Sequence, residues 1–204
     1  MAGRGRPRRG REIDRARWLA AAIEALDAQG HEAFTLSSVS KRVGASTMAL
    51  YRHFDGRDSL IDAVVDEVFA LPDPDPALAP EASLLADVRA LLAMVVARPW
   101  LTIAILRGRA TRPSVLAVSE RMVRSLLGHG LTPIQAHVAW QLLLGMLVAS
   151  AAQASSGPPP GPVPLEAYPS LAQVMSDIVR HPPGDMPATL VRAILAGARA
   201  ISAP

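Results

Sequence analysis

The run Thr35 to Phe54, TLSSVSKRVGASTMALYRHF, places hydroxyl, basic and aromatic side chains on two short segments joined at Val43-Gly44-Ala45. Thr35 and Ser46 are residue types that cap helix N-termini. They predict one helix from Leu36 to about Arg42 and a second through about His53. Gly44 supplies the left-handed backbone that a tight helix-to-helix turn needs. Val39, Val43 and Leu50 are spaced to pack the two helices together, leaving Thr47, Met48, Ala49 and Arg52 to face outward. Such a face, about two turns long, suits a major groove that admits one helix. Its thioether suits a thymine methyl, and Arg52 is its one group capable of a bidentate contact to guanine.

A reading face of this kind needs supports. Upstream, from Glu12, the residues Trp18, Leu19, Ala22, Ile23 and Leu26 recur with helical spacing as one apolar stripe, and Gly30 is placed to end that helix. Downstream, Asp55 or Gly56 starts another helix with Leu60, Val64, Val65 and Val68 inward. Pro72, Pro74, Pro76 and Pro80 then mark a linker. Further helices are predicted near 81–97, 99–109, 114–128, 133–154, 170–181 and 187–202. Thr132 with Pro133 opens the longest of them. The Pro- and Gly-rich stretch 155–169 is read as neither helix nor sheet. No repeat period and no strand pattern emerges, so the expected fold is all-α, with an arm over 1–11 and units over 12–71 and 81–204.

Composition agrees with helices. Half of the 204 residues are apolar but only 4% are aromatic, so the core must be built from Ala, Leu, Val and Ile. Charge is unevenly spread: residues 1–57 carry 11 basic against 6 acidic side chains, and the rest carry 10 against 12. A basic first quarter is the footprint of a polyanionic partner. In the arm, Arg4, Arg6 and Arg8 sit on a thin Gly/Pro backbone. They could enter a narrow A·T-rich minor groove or simply hold phosphates. Cysteine is absent, which excludes a disulfide frame, a thiolate zinc site and a cysteine nucleophile. The histidines His31, His53, His129, His137 and His181 form no metal-ligand spacing, and Asp177 with His181 reads as an ordinary i,i+4 pair. With no nucleotide-binding or nucleophile motif either, no catalysis, cofactor or metal is expected. No apolar segment follows the basic N-terminus, and the longest apolar run, Leu142 to Ala152, is about half a bilayer span. A cytoplasmic protein with no membrane partner is the expectation.

Over about residues 13–70 the chain resembles the TetR family of transcriptional regulators. The residues that carry the likeness are the helix ending in Gly30, then FTLSSVSKRVGAS, then MALYRHFDGRDSLIDAV, with Leu50-Tyr51-Arg52-His53-Phe54 its most specific part. The resemblance implies phosphate contacts by Tyr51 and His53 and base reading by Ser37, Thr47, Met48 and Ala49. Arg57 would touch phosphate where the family usually has Lys. Thr35, Ser46 and Arg52 complete the expected DNA-binding set. The resemblance also implies a homodimer on a double-stranded DNA operator, acting as a repressor that a small-molecule effector releases. The unit over 81–204 would then bind the effector and dimerise. Its expected pocket residues are Met94, Trp100, Ile105, Met122, Trp140, Gln141, Leu144 and Met175, with Gln141 as the polar anchor. Arg107, Arg109 and Arg112 read as a solvated face. Small residues Gly145, Ala149 and Ala152, with Ala193 and Gly197 on the last helix, would let these two helices pair with their symmetry mates in a four-helix bundle. The alternative is a small-molecule or protein-partner receptor with only non-specific DNA affinity, and the ratio of operator to random-DNA binding separates the two.

Overall fold

The computed structural model describes residues 13–157, 161, 164–182 and 184–201. The arm residues Arg4, Arg6 and Arg8 lie outside them. Every regular element among the described residues is helical.

Four helices make the N-terminal unit: α1 (Arg15–Ala33), α2 (Leu36–Val43), α3 (Thr47–Leu50) and α4 (Arg57–Val68). Asp14 starts α1 by accepting from the Arg17 N–H at 2.8 Å. Gly30 does not end α1 but kinks it, at φ 75° and ψ 173°, and one further turn follows. Thr35 caps α2, with Oγ1 accepting from the Ser38 N–H at 3.1 Å. Gly44 ends α2 in the left-handed conformation, φ 72° and ψ 35°. The side chains that hold α1 to α4 together, Trp18, Leu26, Phe34, Val39, Leu50, Leu60, Ile61 and Val64, are almost fully buried. Val68, expected inward, is only half-buried, and Ile61 points into the core instead.

The C-terminal unit contains α5 (Pro80–Ala97), α6 (Trp100–Leu106), α7 (Pro113–Gly128), α8 (Pro133–Ser155), α9 (Pro169–Arg180) and α10 (Met186–Arg199). Prolines stand in the first turn of α5, α7, α8, α9 and α10, where the missing N–H costs nothing. Thr132 and Gln135 form a reciprocal capping box at the start of α8. Around Pro99 the chain turns by 105° between α5 and α6. Short 3-10 turns occupy Arg109–Thr111 and Leu165–Ala167; the second corrects the expectation that 155–169 holds no helical turn.

Helices α5, α7, α8 and α10 pack as the body of this unit, and α6 leans on α1. Among the described residues α8 is the single helix long and apolar enough, by length and composition, to cross a membrane, and the bent pair α5–α6 passes the same test only if taken together. The uninterrupted run Leu142–Ala152 understates it, because the apolar character continues back to Pro133. One side of α8, with Ala136, Ala139, Leu143, Leu147 and Ala151, is buried against its neighbours. Its other side, with Leu142, Gly145, Val148, Ala149 and Ala152, is exposed. Helix α10 packs on α8 and likewise leaves Ala193 and Gly197 exposed.

Candidate nucleic-acid interface and C-terminal cavity

Helix α3 is only one turn long, and α2 holds it in place through Val39, Val43 and Leu50. Met48 is 74% exposed and Tyr51 is 50% exposed. Arg52, Ser37, Thr35 and Ser46 are also exposed, while Thr47 and His53 are half-covered. These residues share one end of the N-terminal unit. Ser46 stands at the start of α3 without a capping hydrogen bond from its side chain, so its hydroxyl is free for other contacts. Ala49 departs from the expectation, since it packs partly against the core instead of facing outward. Phe54 is buried, with the Arg15 guanidinium 5.2 Å from its ring centre.

Arg57 has a structural role that the sequence reading did not assign. Its Nη2 donates to the His31 carbonyl at 2.6 Å and its Nε to the Phe34 carbonyl at 3.1 Å. Its guanidinium also lies 5.8 Å from the Phe34 ring centre. The last turn of α1 leaves carbonyls without helical partners, and Arg57 satisfies two acceptors there while anchoring the start of α4. Two of its five N–H donors are engaged in this way, and Nη1 stands 3.8 Å from the Asp58 carboxylate. The same need explains Arg in place of Lys, because one ammonium cannot present this fork.

His31 is buried beside this anchor, and neither ring nitrogen has a partner. Burial, and then the cations Arg57, Arg107 and Arg109, hold its pKa below the ordinary histidine value, with Glu32 pulling weakly the other way. The folded chain therefore keeps His31 neutral to lower pH than the unfolded chain does. Its contribution to stability is complete above about pH 6.5 and is lost as pH falls from there to the folded pKa. A urea-unfolding series between pH 7.5 and 5.5 should show an acid-side loss of stability, no steeper than about 1.4 kcal/mol per pH unit from this group. In His31→Phe that component should vanish, and an unchanged slope would assign it to other groups.

The two units are joined by charge. Asp58, Asp62 and Asp66 follow one another at four-residue spacing on α4. Arg109 meets Asp58 at 2.9 Å through Nη2 and Asp62 at 2.9 Å through Nε. Arg112 bridges Asp62 and Asp66, and Ser114 donates to Asp66 at 2.7 Å. Burial pushes the Asp66 carboxyl up, but its hydrogen bonds from Arg112 and Ser114 outweigh this and hold it below the usual range. Arg107 pairs with Glu32 at 2.6 Å, and the Trp100 indole N–H donates to Asp27 at 2.7 Å. The three arginines expected on a solvated face therefore bridge the units, and Arg109 is buried. Their periodicity in sequence could not reveal this, because their partners lie on other helices.

A cavity of about 90 Å³ lies among α5, α6, α7 and α8 and the end of α4. Ile105, Met122, Trp140 and Leu144 line it, as expected. Four other expected residues do not. Trp100 is turned toward α1 by its bond to Asp27, and Met94 packs in the core. Gln141 is exposed on the outer side of α8. Met175 is exposed on α9, none of whose residues is buried. The sequence reading missed Val115, Val118, Ser119 and Thr102 on the two helices that flank Arg109, and Phe69 at the end of α4. Phe69 follows α4 just where the proline linker begins, so no periodic signal marked it.

The family model described as bacterial regulatory proteins, tetR family, matches residues 19–64. The HTH-type transcriptional repressor DrrR1 of Streptomyces coeruleorubidus is 30% identical over 135 residues, 64% of this chain. The match spans about half the length of that curated relative. Among solved structures, the transcriptional regulator SCO7222 of Streptomyces coelicolor superposes with a TM-score of 0.69 at 23% identity, over 94% of this chain and 100% of that one. ActR of the same organism, in complex with actinorhodin, superposes with a TM-score of 0.67 at 22% identity, over 92% of this chain and 96% of that one. These likenesses establish the all-helical fold, with its N-terminal helix-turn-helix and its C-terminal helical unit. Residues 19–64 thus carry a match to the tetR family of bacterial regulatory proteins, and the chain is similar over 64% of its length to a repressor of the helix-turn-helix type.

Proposed function

We propose that this chain is a homodimeric, cytoplasmic transcriptional repressor that leaves its operator when a small apolar or amphipathic ligand occupies the C-terminal cavity. One observation carries the reading: α4 begins at the anchor behind the helix-turn-helix and ends at Phe69 in the cavity wall. A ligand that pushes Phe69 moves α4, which packs on α1 and is tied to its last turn through Arg57, and α1 in turn carries α2 and the reading helix α3. The aspartate ladder on α4 gives the same motion a second lever, because Arg109 and Arg112 lie between the cavity-lining helices α6 and α7. The ligand acts only through its differential affinity for the two arrangements. That ActR, of the same fold, is seen with actinorhodin supports taking the cavity as a ligand chamber.

Tyr51 and His53 would then hold phosphates, and Met48, Thr47, Ser37 and Arg52 would face base edges, with Ser46 and Thr35 at the helix starts beside the backbone. Exposure of Met48 and Tyr51 supports this placement. The test is fluorescence anisotropy of the full chain on DNA from upstream of its own gene, against scrambled DNA, across a salt series. A specificity ratio of about 10³ or more at physiological salt is expected. Tyr51→Ala should weaken both complexes alike, while Met48→Ala should reduce the ratio. Equal affinity for both DNAs would favour the receptor reading with non-specific DNA binding, and unchanged affinity in Tyr51→Ala would remove Tyr51 from the contact set.

A further inference from the structure

Two openings meet at Trp140. On one side is the apolar cavity; on the other a groove of about 590 Å³ runs between α7 and α8, past Leu116, Val123, Leu127 and His137. Ile105, Val115, Ser119, Trp140 and Leu144 belong to both walls. The cavity alone is too small for a ligand of ordinary size, whose pocket measures about 300–1,000 Å³. An occupant must therefore extend past Trp140 into the groove.

Polar groups in these walls are few. Among the described residues, no charged side chain lines the cavity. The groove adds Glu120 and His137 but no Lys or Arg. An anion there would find no cation and would face Glu120. The Ser119 hydroxyl already donates to the Val115 carbonyl at 2.9 Å. The indole N–H of Trp140 is buried and has no acceptor. The Trp18 N–H shares that condition, but Trp18 is sealed in the N-terminal core and borders neither opening. A buried donor without an acceptor is a standing cost that a ligand oxygen would remove.

We infer that cavity and groove form one ligand site, and that its ligand is an uncharged, mainly hydrocarbon molecule whose ketone-type oxygen accepts a hydrogen bond from the Trp140 indole N–H. This rests on the effector reading above and names the chemistry of the effector.

The probe is 6-propionyl-2-dimethylaminonaphthalene, an uncharged naphthalene ketone, titrated into the full chain and into Trp140→Phe. Its carbonyl-free parent, 2-dimethylaminonaphthalene, and the anion 8-anilinonaphthalene-1-sulfonate serve as comparators. The ketone should bind wild type about fivefold more tightly than the parent does, the worth of one net hydrogen bond. In Trp140→Phe the ratio of ketone to parent affinity should fall to about one, whatever the change in wall contact does to both affinities, and the sulfonate should bind least in both proteins. A ketone-to-parent ratio unchanged in the variant, tighter sulfonate binding, or no saturable ketone binding would overturn the assignment. The carbonyl stretch of the bound ketone in wild type provides a measurement independent of the variant's folding. A stretch lowered from its hydrocarbon value is expected, and an unshifted one overturns the indole donor. If the ketone obeys this pattern yet leaves the operator complex intact, the site stands and its role as effector site falls. If operator binding is specific but the ketone pattern fails, the ligand assignment alone falls.

Discussion

Asp87→Ala is expected to destabilise the chain by about 3–5 kcal/mol, the usual result of removing one partner from a buried ion pair. Asp87 lies on α5 and is 3% exposed. Arg121 of α7 meets it from two nitrogens: Nε donates to Oδ2 at 3.0 Å, and Nη2 stands 2.7 Å from Oδ1. Arg121 also reaches Asp73 in the linker at 2.8 Å, but that carboxylate is exposed and screened. Truncating Asp87 strands a guanidinium among apolar helices with only this outer partner. The loss is a large part of the stability a domain of this size commands. Urea unfolding at neutral pH measures it directly. Replacing both partners, Asp87→Leu with Arg121→Met, should recover most of the loss, because a well-packed apolar pair avoids the desolvation of two charges. A single-variant cost below about 1 kcal/mol would mean that the Arg121 side chain escapes to solvent when released. The pair also matters for the cavity, since α5 and α7 supply opposite walls of it.

Local signals in the chain predicted local structure well. Thr35, Gly44, Thr132 and Pro133 mark helix ends by the chemistry of their own side chains, and the structure places them at those ends. The stripe from Trp18 to Leu26 and the exposure of Met48 follow from periodicity alone, whereas that of Tyr51 was implied by the resemblance. What the sequence did not reveal were specific contacts with partners distant in sequence. Arg57 looked only like a phosphate contact because its neighbours in sequence say nothing of the His31 and Phe34 carbonyls. Trp100 looked like a pocket wall, but Asp27, far back in α1, claims its N–H. Gln141 looked like a buried anchor because α8 is apolar nearly all round, which removes the pattern that tells inside from outside. That same lack of pattern leaves a structural consequence: both sides of α8 carry apolar residues, yet within one chain only one side is covered.

Gly145→Glu is therefore expected to leave the protomer folded and to abolish tight operator binding. Within one chain, a Cβ at Gly145 meets nothing within 4 Å, and the same holds at Gly197. Glutamate is also a better helix former than glycine, by about 1 kcal/mol, so the isolated protomer should lose no stability. In the proposed dimer the outcome reverses. Leu142, Val148, Ala149 and Ala152 surround this position with apolar surface, and a carboxylate pressed into a symmetric contact appears twice and faces its own copy. Light scattering should report a dimer for wild type and a monomer for the variant at the same concentration. The operator complex should weaken by about 10³ or more, because a lone protomer keeps only one reading face and roughly its non-specific affinity. Glutamate is preferred to arginine here because added positive charge would raise affinity for any DNA and mask the loss. A variant that remains dimeric would move the interface to another face of the C-terminal unit. A monomeric variant that still binds its operator fully would show that one protomer suffices, and the dimeric reading of the operator would have to be abandoned.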